Sequence, residues 1–203
     1  LDKVEADDII AYLSDVTPQK KEDKVFIVSS DKDFLQLINE NVIVYRPMEK
    51  EYYTVDTVVE KFKMSPTNFI LYKTLMGDNS DKVAGIKGLG EKKLYKLFPE
   101  LTTQEMTLED IYNISVKRLK ENVIYARVIQ NFASLETNYK IMDLSKPMID
   151  KNDENYLDGV VKSKDIHYLP DQFVSMYNTD QLGGIIRNVE HWVKDCFESL
   201  QIK

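Results

Sequence analysis

Residues 24–30 read Lys24-Val25-Phe26-Ile27-Val28-Ser29-Ser30, and the run leads straight into Asp31-Lys32-Asp33. Its β-branched and aromatic residues do not alternate with polar ones. A strand apolar on both faces belongs in a parallel sheet covered on both sides. This run therefore commits the first part of the chain to an α/β layer. In open α/β sheets, sites form outside the carboxyl ends of the strands. Here that end carries two carboxylates spaced Asp-x-Asp.

The neighbouring segments fit the same reading. Mixed helical spacing of apolar residues predicts a helix over 4–16, ending near Thr17-Pro18. A further helix is expected over 34–38, a second buried strand over 41–45, an edge strand over 51–54 and a helix over 55–62. Ser65-Pro66 opens another helix with proline in its first turn, running to residue 75. A glycine-punctuated region follows over 77–90, then a helix over 91–98. The remainder reads as helical with interruptions, roughly 108–137, 156–163 and 180–200. Two or three strands make a poor parallel sheet, so further strands are expected from sequence before Leu1 or from another chain.

Composition narrows the chemistry. The 203 residues are 43% hydrophobic, enough for a core. No window approaches 18 consecutive apolar residues, so no membrane helix is expected. One cysteine, Cys196, and two histidines leave no internal disulfide and disfavour zinc or haem. Any metal would have to be held by carboxylates, which points to a hard cation such as magnesium or manganese. The net charge of −7 is unevenly spread. Residues 1–60 hold 7 Lys/Arg against 14 Asp/Glu, whereas residues 61–100 hold 8 against 4. An acidic segment abuts a basic one, as a metal site beside a phosphate-binding element would require; clustered solvated charge is the simpler alternative.

Three acidic clusters stand out: Glu5-Ala6-Asp7-Asp8, Ser30-Asp31-Lys32-Asp33 and Gly77-Asp78-Asn79-Ser80-Asp81. Each has an ordinary explanation, as acids at a helix start, an N-cap and a turn respectively. Their co-occurrence with the next motif favours the metal reading. The segment Lys82-Val83-Ala84-Gly85-Ile86-Lys87-Gly88-Leu89-Gly90-Glu91-Lys92-Lys93 allows a tight hairpin between helices. It also lets backbone N–H groups approach a phosphate, with Lys87, Lys92 and Lys93 adding charge. The spacing is not that of a P-loop, so nucleotide hydrolysis is disfavoured. A plain interhelical turn remains the alternative.

These motifs, in this order over residues 4–94, resemble the 5′→3′ exonuclease/flap endonuclease family. The likeness is strongest to the phage enzymes that remove RNA primers in DNA replication, also called phage RNase H. The resemblance implies an α/β fold. A partial parallel sheet of a PIN-like 5′-nuclease core over 1–64 would be followed by a helical C-terminal region over 65–203, with a helix–three-turn–helix at about 65–100. It implies a phosphodiester hydrolase using two Mg2+ or Mn2+ ions. Asp7, Asp31, Asp33 and Asp81 would be the principal ligands, and Glu5, Asp8 and Asp78 companions. It further implies a potassium ion on the carbonyls of Leu75, Met76, Ala84, Ile86 and Leu89. Gly85, Lys87, Gly88, Gly90, Lys92 and Lys93 would grip the duplex backbone. The expected partners are branched or flapped duplex DNA and RNA–DNA hybrid, met by a monomer in the cytoplasm of a phage-infected bacterium.

Family members also carry, ahead of the first motif, strands with further essential acids and a basic helical arch. The resemblance thus implies a missing N-terminal portion and little activity for this chain alone. Two other readings stay open, a non-catalytic duplex-DNA-binding module and a split enzyme completed by a separate polypeptide. Trp192 and Phe197 with Ile185, Ile186 and Val189 are expected to form a packed face of the last helix. His167, His191 and Cys196 receive no catalytic role, and Lys120 and Arg127 are expected on a solvated helix face, with an extension of the DNA track as the alternative.

Overall fold

The computed structural model describes residues 1–78, 82–163 and 168–197. They fall into two compact units, residues 1–153 and 154–203. The first opens with α1 (Ala6–Val16), whose first turn carries Asp7 and Asp8 where the helix dipole favours negative charge. Strand β1 (Val25–Val28) pairs in parallel with β2 (Val42–Arg46), and β2 pairs antiparallel with β3 (Glu51–Tyr53). The sheet order β1-β2-β3 leaves one edge of β1 unpaired among the described residues. Phe26, Val28 and Tyr52 are more than half exposed on this sheet, so the all-round burial expected for residues 25–28 holds for Ile27 but not for its neighbours.

The helix expected over 34–38 is instead one short 3₁₀ segment, Asp33–Leu37. It seats Phe34 and Leu35 in a core shared with Ala11, Ile27, Val42, Val44, Val58 and Phe69. Then come α2 (Val55–Phe62), capped by the Thr54 hydroxyl, and α3 (Phe69–Met76). Residues 66–68 form a 3₁₀ turn before α3, so the expected single helix over 65–75 is divided. The glycine-punctuated region opens with a two-stranded pair, β4 (Gly77–Asp78) with β5 (Val83–Ala84).

Helices α4 (Glu91–Leu97), α5 (Leu108–Lys117), α6 (Val123–Gln130) and α7 (Phe132–Met142) surround a second core. It holds Leu71, Leu75, Ile86, Leu89, Leu94, Phe98, Ile111 and Tyr125. Thr107 and Asp110 form a reciprocal capping box that fixes the start of α5. The chain then returns to the first core. Gln36 donates to the Met142 carbonyl at 3.0 Å and accepts from Leu144 N at 3.0 Å, while Leu144 is buried beside Ala11 and Phe34. The boundary expected between residues 64 and 65 thus lies inside this unit, and residues 142–148 contact the earlier lobe.

The second unit contains most of α8 (Lys151–Ser163), together with α9 (Pro170–Thr179) and α10 (Val189–Phe197). Among its described residues Leu157, Tyr177 and Val193 are buried, and Phe173 lies 6.0 Å from Trp192 between ring centroids. The packed face expected for the last helix needs correction, because Ile185 and Ile186 precede α10 and Ile185 is 79% exposed. Helix α9 was not expected. His167 and the end of the expected final helix, residues 198–200, lie outside the described residues. No helix among the described residues is long and apolar enough to cross a membrane.

Candidate active site

The site is organised at the carboxyl end of β1. Asp31 N donates to the Ser29 hydroxyl at 3.0 Å, and Asp33 N donates to Asp31 Oδ1 at 2.9 Å. These two local bonds turn the chain sharply as it leaves the strand. Asp31 is left exposed, while Asp33 points inward with a side chain only 14% exposed. A cleft of about 540 Å³ opens here. Its lining includes Asp31, Asp33, Tyr72, Lys73 and Asp78. Asp33 comes from the loop after β1 and Asp78 from β4, 45 residues later in the chain.

Between Asp33 and Asp78 sits Lys73, a residue that sequence reasoning passed over. Its side chain is 8% exposed, and its ammonium contacts Asp33 Oδ1 and lies 2.7 Å from Asp78 Oδ2. Asp33 Oδ1 is buried and has no hydrogen-bond partner of ordinary geometry. The signal for Lys73 was present. It is the one charged residue in Phe69-Ile70-Leu71-Tyr72-Lys73-Thr74-Leu75-Met76, a helix buried on most sides. A buried ammonium requires partners of opposite charge, and the two aspartates supply them.

Arg46, at the end of β2, was also missed. It is 5% exposed, donates twice to Glu49 at 2.9 and 2.8 Å, and stacks over Tyr53. The Glu49 hydrogen bonds hold its guanidinium above the ordinary range against the opposing effect of burial, and Asp31 adds a smaller attraction. Arg46 therefore lies within electrostatic reach of the acidic loop.

The remaining expected ligands are placed differently. Glu5, at the N-cap of α1, makes no capping bond, and Asp7 is half-buried in the first turn. Asp8 is 7% exposed, and its Oδ1 accepts from Met148 N at 2.9 Å, an attachment of α1 to the returning chain. None of these three lines the cleft. Asp81 lies outside the described residues. Among the described residues, no group of three acids, histidines or cysteines forms a ready metal cage. The donor set nevertheless fits a hard divalent ion. Asp33 and Asp78 already share one cation, the Lys73 ammonium, and Asp31 lines the same cleft.

The basic hairpin begins directly beside this site. Ile86 N donates to the Leu75 carbonyl at 2.8 Å, and Leu89 N donates to the Ile86 carbonyl at 3.0 Å. Ile86 and Leu89 are buried, whereas Lys87, Gly88, Gly90, Lys92 and Lys93 are exposed. Gly85 packs so closely that a Cβ would stand 2.3 Å from the Met76 carbonyl oxygen. Gly88 has φ +82°, in the left-handed region that favours glycine. Two side chains from later helices brace the turn. Arg127 donates to the Lys87 carbonyl, and Asn138 donates to the Ala84 carbonyl at 3.0 Å. Arg127 is thus tied to the hairpin, not merely solvated. Lys93 donates to the Gly88 carbonyl at 2.9 Å. Of the five carbonyls expected to hold potassium, those of Leu75, Ala84 and Ile86 accept hydrogen bonds.

Known proteins resemble this chain in sequence and in fold. Residues 1–63 match the family described as 5′-3′ exonuclease, N-terminal resolvase-like domain. The chain is 42% identical over 106 residues to a 5′-3′ exonuclease of Aquifex aeolicus, covering 52% of this chain and 36% of that one. It is 38% identical over 127 residues to DNA polymerase I of Bacillus subtilis, 61% of this chain and 14% of that protein. It is 33% identical over 138 residues to flap endonuclease Xni of Shewanella woodyi, 66% and 54% respectively. The chain therefore spans from about a seventh to about half the length of these relatives. In fold it is similar to the T5 D15 protein co-crystallised with metal ions, with a TM-score of 0.66 at 20% identity, covering 79% of this chain and 59% of that one. Sequence and fold together carry the resemblance to 5′→3′ exonucleases and flap endonucleases.

Proposed function

We propose that this chain is part of a structure-specific, divalent-metal-dependent 5′→3′ nuclease that acts on flapped or branched DNA and on RNA–DNA hybrid. The observation that carries the reading is the meeting of Asp31, Asp33 and Asp78 in one cleft at the carboxyl end of β1, with a lysine-rich hairpin starting at its rim. A pure DNA-binding module gains nothing from acids set beside a polyanion. A T5 flap endonuclease has been solved with DNA and metal ions, and the same substrate class suits this chain.

Asp31, Asp33, Asp78 and Asp81 would hold Mg2+ or Mn2+, and Glu5, Asp7 and Asp8, which do not line the cleft, would contribute only outlying negative charge. Ions bound there supply an activated water and charge stabilisation at the scissile phosphate. The chain's own contribution is positioning. The Ser29–Asp31–Asp33 turn fixes two carboxylates, and β4 brings Asp78 opposite them. The hairpin holds the duplex backbone through Lys87, Lys92 and exposed glycine backbone, so that the strand end falls toward the acids. A potassium ion at the hairpin would rest on the Met76 and Leu89 carbonyls together with the second lone pairs of Leu75, Ala84 and Ile86. We assign residues 1–64 to the α/β nuclease core and residues 65–203 to the helical region with its helix–three-turn–helix.

The test is flap cleavage. The 203-residue chain alone should bind branched DNA and cleave little. Joined to an N-terminal portion, it should cleave 5′ flaps with Mg2+ or Mn2+ and stop with EDTA. Asp31→Asn or Asp81→Asn in the joined protein should lower cleavage by at least ~100-fold, as misplacing a reacting group does. A joined protein that folds and binds flaps without cutting them would overturn the nuclease reading in favour of a binding module.

A further inference from the structure

We infer that Lys73 is a built-in competitor for the divalent cation, setting how tightly the Asp33–Asp78 pair takes up metal. The inference rests on the nuclease reading and concerns regulation of that same site. Lys73 is anchored from below by α3, whose other residues are uncharged, and its ammonium reaches both carboxylates. An unpaired ammonium at 8% exposure would be very unfavourable. Two facing carboxylates without a cation would likewise repel. The three charges are therefore mutually dependent, and the cluster still carries one net negative charge.

That residual charge is what distinguishes a competitor from a substitute. An ammonium offers a single charge and three donors on a flexible stem. A divalent ion offers twice the charge and accepts more oxygens at once. Metal held by both Asp33 and Asp78 must share or displace the ammonium, so its apparent affinity is reduced by whatever it takes to move Lys73. Lys73 also ties the site to the hairpin, because its own carbonyl accepts from Gly77 N at the end of α3.

The probe is Mn2+ alone, titrated into the chain and followed by the electron paramagnetic resonance of free Mn2+, with the melting temperature measured in EDTA. Lys73→Gln should bind Mn2+ roughly tenfold more tightly, since one positive charge beside the pair is gone. It should melt lower in EDTA and recover with Mn2+. Lys73→Arg, which clasps two carboxylates more firmly, should bind Mn2+ more weakly than the wild type, and this variant decides the matter if Lys73→Gln does not fold. A merely structural lysine would not move metal affinity in opposite directions in the two variants. Wild type, Lys73→Gln and Lys73→Arg binding Mn2+ equally well would overturn the inference and leave the nuclease reading standing. No Mn2+ uptake by any of them would overturn the metal reading itself, and the inference with it.

Discussion

Asn68 does at the residue scale what no helix propensity would announce. It is fully buried in the turn before α3. Its amide donates to the Leu101 carbonyl at 2.9 Å and the Gln104 carbonyl at 2.7 Å, and its Oδ1 accepts from Met106 N at 2.9 Å. One side chain thus satisfies three backbone groups of a loop more than thirty residues away, through two buried hydrogen bonds and one part-buried one. Asn68→Ala should destabilise the protein by roughly 3 kcal/mol, because each orphaned buried group costs about 1–3 kcal/mol and the loop recovers only part of that by relaxing. Urea unfolding should show a lower midpoint with an unchanged slope. Asn68→Asp should be at least as damaging, since a carboxylate would face two carbonyls with no donors to offer. A midpoint within error of the wild type would show that the loop holds itself.

At the scale of elements, the hairpin separates glycines that look alike in sequence. Gly85 lies against backbone, with a hypothetical Cβ 2.2 Å from the Met76 carbonyl carbon and 2.4 Å from Gly77 N. Backbone cannot step aside as a flexible side-chain tip does. Gly90, at the N-cap of α4 with φ −112°, has nothing within 4 Å of that position. Gly85→Ala should therefore cost at least ~2 kcal/mol and part β4 from β5, whereas Gly90→Ala should stay within about 1 kcal/mol, the scale of an N-cap change. Thermal melts of the two variants side by side check this, and equal losses would contradict it. The same contrast shows how far the sequence was legible. Periodicity announced α1, β1, β2 and α2, because each has a clear apolar pattern or a breaker at its end. The Asp-x-Asp turn and the glycine hairpin were legible from local chemistry. Lys73, Asn68, Arg127 and Asn138 were not read as site or hairpin residues, since their partners lie on other elements. Spacing along the chain carries no record of Lys73 meeting Asp33 forty residues earlier, or of Arg127 reaching Lys87 forty residues earlier.

At the scale of the whole chain, the separation of charge determines how a polyanion would meet it. Residues 1–60 carry twice as many acids as bases, and residues 61–100 the reverse. Duplex DNA should be repelled by the first segment unless cations fill it, and drawn to the second. The grip would be on phosphates, and hence be indifferent to sequence and steep in salt. The lysines are not equivalent in this. Lys87 and Lys92 are exposed side chains, while Lys93 spends a hydrogen bond on the Gly88 carbonyl. Replacing Lys93 should loosen the turn as well as remove a charge, so the cleaner variant is Lys87→Ala with Lys92→Ala. That protein should melt like the wild type and bind duplexes of unrelated sequence more weakly by the same factor. Its plot of log affinity against log salt should be flatter by about 0.9 for each phosphate no longer neutralised. Adding Lys93→Ala should reduce affinity further and lower the melting temperature, which the double variant does not. An unchanged salt slope in the double variant would mean that the phosphates rest elsewhere, and the hairpin would then be an interhelical turn whose glycines serve packing alone.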